Sequence, residues 1–270
     1  MYKMTIGLIQ RAAVFSPNNV ENDRAILECV SRELKGEDYR ILQMSEEELE
    51  IAFEADVYVS MGRDEHTLLF LADQKAKRKL VVNTPEGVDL CNHRASQMQL
   101  LEYHGFPVAP LEGTEGYWVK RGDGPSELKE DVAFAATKAE AVTLQEKMSL
   151  RGISAFDVRA HVTGDLVKFY GVCGTTFFRY YYPSADGHTK FGHETRNGHP
   201  AHYSFDEDMF RETVTHAAAL LQIEVYGGDA VVRPDGSFVL IDVNDWPSFS
   251  RCRDEAAQAI VERLDQLMKH

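Results

Sequence analysis

Two apolar segments near the end of the chain, residues 227–232 and 239–244, each carry an acidic residue among hydrophobic neighbours. Antiparallel pairing of these segments would place Asp229 beside Asp242, with Asn244 on the same face as Asp242, because side chains alternate along a strand. Two carboxylates and an amide oxygen are hard ligands of the kind that Mg²⁺ selects. The pattern predicts a hairpin whose Asp229, Asp242 and Asn244 hold a metal ion. Solvated acids at strand ends are the alternative interpretation.

The first part of the chain alternates between short apolar runs and helical patterns, which is typical of a parallel α/β domain. Strands are predicted at residues 4–9, 39–44, 56–60 and 79–82. The spacing of apolar residues predicts helices at residues 22–34 and 65–77. The run Asn83-Thr84-Pro85 marks a turn, so we expect a small N-terminal domain over residues 1–88.

The remaining sequence predicts two α+β subdomains, at residues 89–145 and 146–270. The first contains helical patterns at residues 93–103 and 138–144 and strand patterns at residues 117–120 and 132–135. The second contains strand patterns at residues 156–162, 166–172 and 176–182, a polar loop at 184–204, a helix at 205–222, the hairpin, and a final helix at 254–268. The chain is therefore expected to mix the α+β and α/β classes.

An excess of acidic residues limits the partners that this chain can have. Lys and Arg number 29, Asp and Glu number 43, and the net charge is −14. Such a chain lacks the basic surface that nucleic acids and anionic membranes attract, although a local basic pocket can still bind a small anionic substrate. No long apolar run, signal-peptide layout or close cysteine pair occurs, so we expect a cytoplasmic protein with reduced thiols.

The hairpin motif resembles that of the ATP-grasp superfamily, and the likeness extends over nearly the whole chain. In that superfamily an acid on one strand is followed by an acid-x-Asn motif on the next, as in Asp229 and Asp242-Val243-Asn244 here. The resemblance implies an ATP-grasp fold, in which a small N-terminal parallel α/β domain accompanies two α+β subdomains that clamp ATP. It also implies ATP and Mg²⁺ as cofactors, with Mn²⁺ able to replace Mg²⁺.

The resemblance also implies nucleotide-binding roles upstream of the hairpin. Lys120 corresponds to the strand lysine that contacts the ATP phosphates, and Arg94 stands where many members carry a first ATP-binding lysine. Asp157 falls where an acid lies near the ribose or the metal ion, and Asn197 falls near further nucleotide contacts. A hinge that binds adenine through its backbone is expected at Gln145, Glu146, Lys147 and Met148.

Several basic residues are candidates for contacts with the reacting groups. The resemblance implies catalytic roles for Lys120, Arg159 and Arg179. A small anionic substrate is expected to bind to Arg151, Lys168, Arg196, Arg251 and Arg253. Two simpler interpretations stay open. Asp157 and Arg159 share one face of a strand and would then form only a salt bridge. Arg251 and Arg253 would then belong to a solvated helix start.

The reaction depends on the group that accepts the γ-phosphate, which a fold does not determine. Asp242, where carboxylate–amine ligases more often carry Glu, and the aromatic context at residues 246–249 resemble inositol phosphate and diphosphoinositol kinases. We therefore expect a kinase of a phosphorylated polyol such as an inositol phosphate. A carboxylate–amine ligase, similar to ribosomal-protein glutamate ligases and glutathione synthetase, is the main alternative. An ATP-binding module without turnover is the third, because the loop after Lys120 is short.

Overall fold

The N-terminal domain contains a parallel sheet of four strands. The computed structural model describes residues 4–17, 19–36, 39–50, 52–124, 126, 128–183 and 196–269. The strands are β1 (Thr5–Gln10), β2 (Arg40–Ser45), β3 (Val57–Ser60) and β4 (Leu80–Val82), and the helices are α1 (Val20–Gly36) and α2 (Glu65–Ala76). The strand order is β2-β1-β3-β4. All residues of β3 are buried, as expected for a parallel sheet that is covered on both faces.

A helix that the sequence analysis missed leads from this domain to the central subdomain. Helix α3 (Pro85–Asn92) begins at the predicted turn, where the Thr84 hydroxyl accepts the backbone N–H of Gly87. Pro85 occupies the first turn of the helix, where a missing N–H has no cost. The same residues that signal a turn therefore also start a helix.

The central subdomain contains a three-stranded antiparallel sheet. Its strands are β5 (Tyr117–Arg121), β6 (Val132–Ala135) and β7 (Phe156–Ala160), and its helices are α4 (Arg94–Tyr103) and α5 (Lys138–Ser149). The strand order is β6-β5-β7, so β7 belongs to this sheet although it lies beyond the predicted boundary at residue 145. The chain passes from the central sheet to the C-terminal sheet between Ala160 and Asp165, which are the last and first residues that pair in the two sheets.

The C-terminal subdomain contains a four-stranded antiparallel sheet. Its strands are β8 (Asp165–Val172), β9 (Phe178–Tyr181), β10 (Val225–Val232) and β11 (Phe238–Asp245), and its helices are α6 (Glu207–Leu220) and α7 (Arg253–Met268). The strand order is β11-β10-β8-β9. Of the predicted loop at residues 184–204, positions 184–195 lie outside the described residues.

Helix α7, at the end of the chain, packs against α1, near its beginning. Ile260 and Leu264 of α7 share one fully buried cluster with Ile26 and Val30 of α1. The N-terminal domain is therefore fixed beside the C-terminal sheet, with one edge of its parallel sheet facing the hairpin. No helix within the described ranges is long and apolar enough to cross a membrane.

Candidate active site

The two acids of the predicted hairpin lie side by side on β10 and β11. Asp229 is the register partner of Asp242, and the Asn244 Nδ2 donates to Asp242 Oδ2 at 3.0 Å. All three side chains line one cleft of about 930 Å³ between the central and C-terminal sheets. The predicted strand pairing is confirmed, and it brings the three candidate metal ligands to one place.

Three cationic side chains surround the two acids. Lys168, the cross-strand neighbour of Asp229 on β8, contacts Asp229 Oδ1 at 2.8 Å. Arg94, at the start of α4, places its Nε 3.1 Å from Asp242 Oδ1. The Lys120 Nζ on β5 donates at 2.7 Å to the backbone carbonyl of the residue before Asp242. Elements from both subdomains thus assemble a cluster of alternating charges.

The charges in this cluster perturb one another. Burial favours the neutral form of Asp242, but the charges of Arg94 and Lys120 outweigh burial and hold the pKa of Asp242 well below its usual value. Burial, followed by the charge of Arg94, lowers the pKa of Lys120. Burial also disfavours the charge on Lys168, yet the Asp229 carboxylate raises the pKa of Lys168 overall. The Asp242 carboxylate and the Lys168 ammonium are therefore both charged at neutral pH.

The donor set at the hairpin fits a hard divalent cation. Mg²⁺ is usually held by one or two carboxylates together with phosphate oxygens, which is the chemistry that Asp229 and Asp242 offer. Within the described ranges, no three His, Cys, Asp or Glu side chains are grouped to hold a metal ion by themselves. A metal ion here would depend on the Asn244 amide and on oxygen ligands from a substrate.

Beside the charged cluster, the cleft has an apolar wall. Its residues belong to one packed cluster and line the cleft: Ala109, Val162, Leu166, Val231 and Ile241. Trp118 and His161 line the cleft as well, and the Trp118 Nε1 donates to His161 Nδ1 at 3.1 Å. Burial lowers the pKa of His161, which favours its neutral ring. A flat group of low charge suits this wall.

The predicted adenine hinge does not form where it was expected. The four residues lie in the last turns of helix α5 and none of them lines the cleft: Gln145, Glu146, Lys147 and Met148. The carbonyl of Glu146 accepts the backbone N–H of Leu150 within the helix end, and Met148 packs into the core of the central subdomain. Core packing thus extends the helix through the predicted hinge. Residues 160–162, which follow β7, line the cleft instead.

Asp157 and Arg159 line the cleft as an ion pair. The Arg159 Nε donates to Asp157 Oδ1 at 2.9 Å, and the Arg159 and Asp157 side chains are 5% and 6% exposed respectively. Arg159 also donates to the Ala109 carbonyl at 2.8 Å and to Glu102 Oε2 at 3.1 Å. The structure therefore contains the salt bridge that the sequence analysis left open, and a catalytic role for Arg159 stays a prediction.

Three predicted arginines do not line the cleft: Arg179, with a predicted catalytic role, and Arg151 and Arg253, which are predicted to bind the substrate. Each is held by a neighbouring side chain instead: Arg151 by Asp131, Arg179 by Glu255, and Arg253 by Asn22. Since they lie outside the cleft lining, the structure does not bring these three arginines to the charged cluster, and their roles stay predictions. The other predicted contacts do line the cleft: Lys168, Arg196, Asn197 and Arg251.

The N-terminal domain closes one end of the cleft with residues that the sequence analysis did not select. Arg11 and Arg63 come after β1 and β3, and the carboxyl ends of parallel strands meet at one edge of a sheet. Arg63 forms an ion pair with Asp245, the last residue of β11. Arg11 lies 3.4 Å from Asp23 and 3.6 Å from Asp245. Two buried carboxylates thus neutralise both guanidinium groups.

Aromatic and amide side chains complete this end, which we call the N-terminal end of the cleft. Tyr170 and Tyr181 line it, and the Arg251 guanidinium lies 5.1 Å from the centre of the Tyr181 ring. Asn19 and Asn22, near the start of α1, line the cleft as well. With Arg11 and Arg63 neutralised, this end suits a small anion of low charge.

A buried carboxylate holds the two loops that carry Arg11 and Arg63. Glu46 is 3% exposed and accepts the backbone N–H groups of Arg63 at 2.6 Å and Asp64 at 3.0 Å. It also accepts the backbone N–H of Ala12. Burial, together with a hydrogen bond to the Asp64 carboxyl, raises the pKa of Glu46 to about 7.

The raised pKa of Glu46 predicts that stability depends on pH. Between the ordinary carboxyl pKa of 4.5 and about 7, the folded chain holds a proton that the unfolded chain loses, so stability falls as pH rises through this window. We expect the free energy of unfolding to fall more steeply between about pH 5 and pH 8 in the native chain than in a Glu46→Gln variant. Urea titrations measure both, and parallel pH profiles would contradict the assignment.

No protein-family model matches the chain, and no curated protein matches its sequence. Solved structures do match it over nearly its whole length. D-alanine–D-alanine ligase from Bacillus anthracis, complexed with ATP, has a TM-score of 0.67 at 11% identity and covers 98% of this chain and 99% of its own. A RimK domain ATP-grasp protein from Sphaerobacter thermophilus has a TM-score of 0.65 at 14% identity, with 96% and 98% covered.

A third similar structure, D-alanyl-alanine synthetase A from Vibrio cholerae, has a TM-score of 0.69 at 10% identity, with 98% of each chain covered. The likeness covers 96–98% of this chain and therefore includes its parallel N-terminal sheet and both antiparallel sheets. The chain therefore has the ATP-grasp fold, as the sequence predicts. At such low identity the likeness establishes the fold and leaves the reaction to be argued from the site.

Proposed function

We propose that this protein is an ATP-dependent carboxylate–amine ligase that activates a small carboxylate as an acylphosphate. The observation that carries the proposal is the charge balance at the N-terminal end of the cleft. Arg11 and Arg63 are already paired with Asp23 and Asp245, so these two arginines offer little unbalanced positive charge at this end. An inositol phosphate carries several doubly charged groups and requires several cations, whereas a single carboxylate requires one.

The remainder of the cleft suits Mg-ATP. The apolar wall of Val162, Leu166, Val231 and Ile241 would hold adenine, next to the backbone of residues 160–162. Arg94, Lys120 and Lys168 would contact the phosphates as charge-assisted donors. In doing so, Arg94 and Lys168 would exchange their present carboxylate partners for phosphate oxygens.

Asp229, Asp242 and Asn244 would hold Mg²⁺, which supplies positive charge to the phosphate oxygens during transfer. Mn²⁺ offers the same oxygen chemistry and would serve as a substitute. Because Arg94 and Lys168 currently neutralise the two acids, nucleotide and metal are expected to bind best together. The phosphates would take up the positive charges of Arg94 and Lys168, and the metal ion would take up the negative charges of the two acids, so neither set of charges would be left unpaired.

In the proposed reaction, a carboxylate oxygen of the first substrate attacks the γ-phosphorus. The bond to the bridging oxygen breaks and ADP leaves, while Lys120, Arg94 and Lys168 neutralise charge on the phosphoryl oxygens. The amine nitrogen of the second substrate then attacks the acyl carbon, inorganic phosphate leaves, and the amine loses a proton to solvent. An amide bond and one phosphate per ATP result.

The similar structures support a ligase. One is named as a D-alanine–D-alanine ligase, another as a D-alanyl-alanine synthetase, and a third carries the RimK domain name, although each is at most 14% identical to this chain. The kinase remains the second candidate, because Asp242 and the Trp246 context resemble inositol phosphate kinases. The acidic net charge of −14 supports a small molecule as the partner rather than nucleic acid.

One assay separates the two candidates. The protein is incubated with Mg-ATP and, in parallel, with panels of amino acids, dipeptides and inositol phosphates, and ADP release is measured. We expect ADP release with a carboxylate substrate, and a hydroxamate when hydroxylamine replaces the amine. Phosphate transfer to an inositol phosphate without any hydroxamate would instead favour the kinase. Bound ATP without turnover on any panel would favour a binding module.

Lys120 provides the matched test of the nucleotide site. Lys120→Met is expected to reduce hydroxamate formation by about 100-fold, because a preorganised cation at the phosphates is lost. The control is Lys138→Met, which removes an exposed lysine paired with Glu112 and should leave the rate unchanged. Equal rates for the two variants would contradict the role of Lys120.

A further inference from the structure

Asn197 carries an unsatisfied acceptor at the apolar wall of the cleft. Its Nδ2 donates to the Val162 carbonyl at 3.3 Å, and the side chain lines the cleft. Its Oδ1 is buried and has no hydrogen-bond partner among the residues that the structure describes. A buried acceptor without a partner carries a desolvation cost, which a ligand that donates a hydrogen bond would remove.

The orientation of this amide follows from its surroundings. A flipped amide would bring Oδ1 against the Val162 carbonyl oxygen, and two acceptors repel each other. The Nδ2 must therefore face the Val162 carbonyl, and the Oδ1 is the atom that is left to accept a hydrogen bond. Val162 itself belongs to the apolar cluster that lines the cleft, so Asn197 stands at the edge of that wall.

Arg196 fixes the backbone from which Asn197 projects. The Arg196 guanidinium lies 3.4 Å from the centre of the Phe134 ring on β6, within the range of a cation–π contact. Residues 196 and 197 thus contact the central subdomain through Phe134 and Val162. The acceptor is held in position rather than left on a free side chain, which is the condition for selective recognition.

We propose that Asn197 selects adenine over guanine by accepting a hydrogen bond from the exocyclic amine of adenine. Adenine carries a donor amine at position 6, whereas guanine carries an acceptor oxygen there. With guanine, the Oδ1 would stay unpaired and would face a second acceptor. This inference rests on the proposed function, because it requires that the apolar wall holds the base of a nucleotide.

The test compares three nucleotides that differ at position 6 of the base. Dissociation constants of Mg-ATP, Mg-GTP and the magnesium complex of purine riboside triphosphate, which lacks the amine, are measured by calorimetry without acceptor substrates. For the native chain we expect ATP to bind about 10-fold more tightly than the other two. In Asn197→Ala, ATP affinity should fall to the level of purine riboside triphosphate, and affinity for the latter should change little.

Asn92 supplies the matched control in the same cleft. Its Nδ2 also donates to a backbone carbonyl, that of Arg63, and its Oδ1 is also buried without a partner among the described residues. Asn92 lies by the N-terminal domain, so Asn92→Ala should keep the native ratio of ATP to purine riboside triphosphate affinity. If Asn197→Ala kept the native ratio of ATP to purine riboside triphosphate affinity, or lost affinity equally for all three nucleotides, this inference would be wrong and the proposed function would be unaffected. If the native chain binds none of the nucleotides, the proposed function fails with it.

Discussion

Asp242→Asn is expected to lower the rate of ADP release by about 100-fold or more while the protein stays folded. The Asp242 carboxylate is held in its charged form by Arg94 and Lys120, so it offers a full negative charge to a metal ion. Asparagine keeps the shape and one oxygen but removes that charge. Steady-state ADP release, with the carboxylate substrate found in the assay above, measures the effect.

The control for this substitution lies on the same hairpin. Asp235 sits in the turn between β10 and β11, where its carboxylate accepts hydrogen bonds from the backbone N–H and the hydroxyl of Ser237. Asp235→Asn changes the same residue type, seven positions from Asp242, outside the cleft. Its rate should stay close to that of the native chain. If both variants kept the native rate, Asp242 would have no part in the chemistry.

Asp245→Asn is expected to lower the free energy of unfolding by about 3–5 kcal/mol, which is typical when one partner of a buried ion pair is removed. The Asp245 side chain is fully buried, pairs with Arg63 and lies 3.6 Å from Arg11. Without its charge, the guanidinium groups of Arg11 and Arg63 lose a carboxylate partner at the end of β11 and keep only their hydrogen bonds to backbone carbonyls there. Urea unfolding at neutral pH measures the change.

An exposed ion pair of the same residue types provides the comparison. Asp254 pairs with Arg32 at 2.7 Å, but the two side chains are 77% and 62% exposed. Asp254→Asn should therefore change the free energy of unfolding far less than Asp245→Asn, because water screens such pairs. If the two variants lost similar free energies of unfolding, the buried ion pairs of Asp245 would stabilise the fold no more than an exposed pair does.

The parts of the site that could be predicted from sequence are those set by local rules. Asp229 and Asp242 could be paired because a short turn and strict alternation along two strands determine which side chains are neighbours. The fold class followed from the order of strands and helices, together with the resemblance carried by the hairpin. Lys120 could be selected because it ends an apolar strand in the expected position before the hairpin.

The parts that could not be predicted depend on contacts between distant residues. Gln145 to Met148 were expected to form a hinge, but Met148 packs into the central core and the helix continues through them. The pair of Arg63 and Asp245 joins residues 182 positions apart, so no local pattern announces it. Arg179 and Glu255 likewise meet only in the folded chain, which removes Arg179 from the cleft.

Metal-dependent nucleotide binding tests the central claim most directly. The affinity for a non-hydrolysable ATP analogue is measured by calorimetry with Mg²⁺ and with EDTA, in the native chain and in the double variant Asp229→Asn/Asp242→Asn. We predict that Mg²⁺ strengthens binding to the native chain by about 10-fold or more and that the double variant loses this gain. An equal gain from Mg²⁺ in both proteins would contradict a metal site at this hairpin.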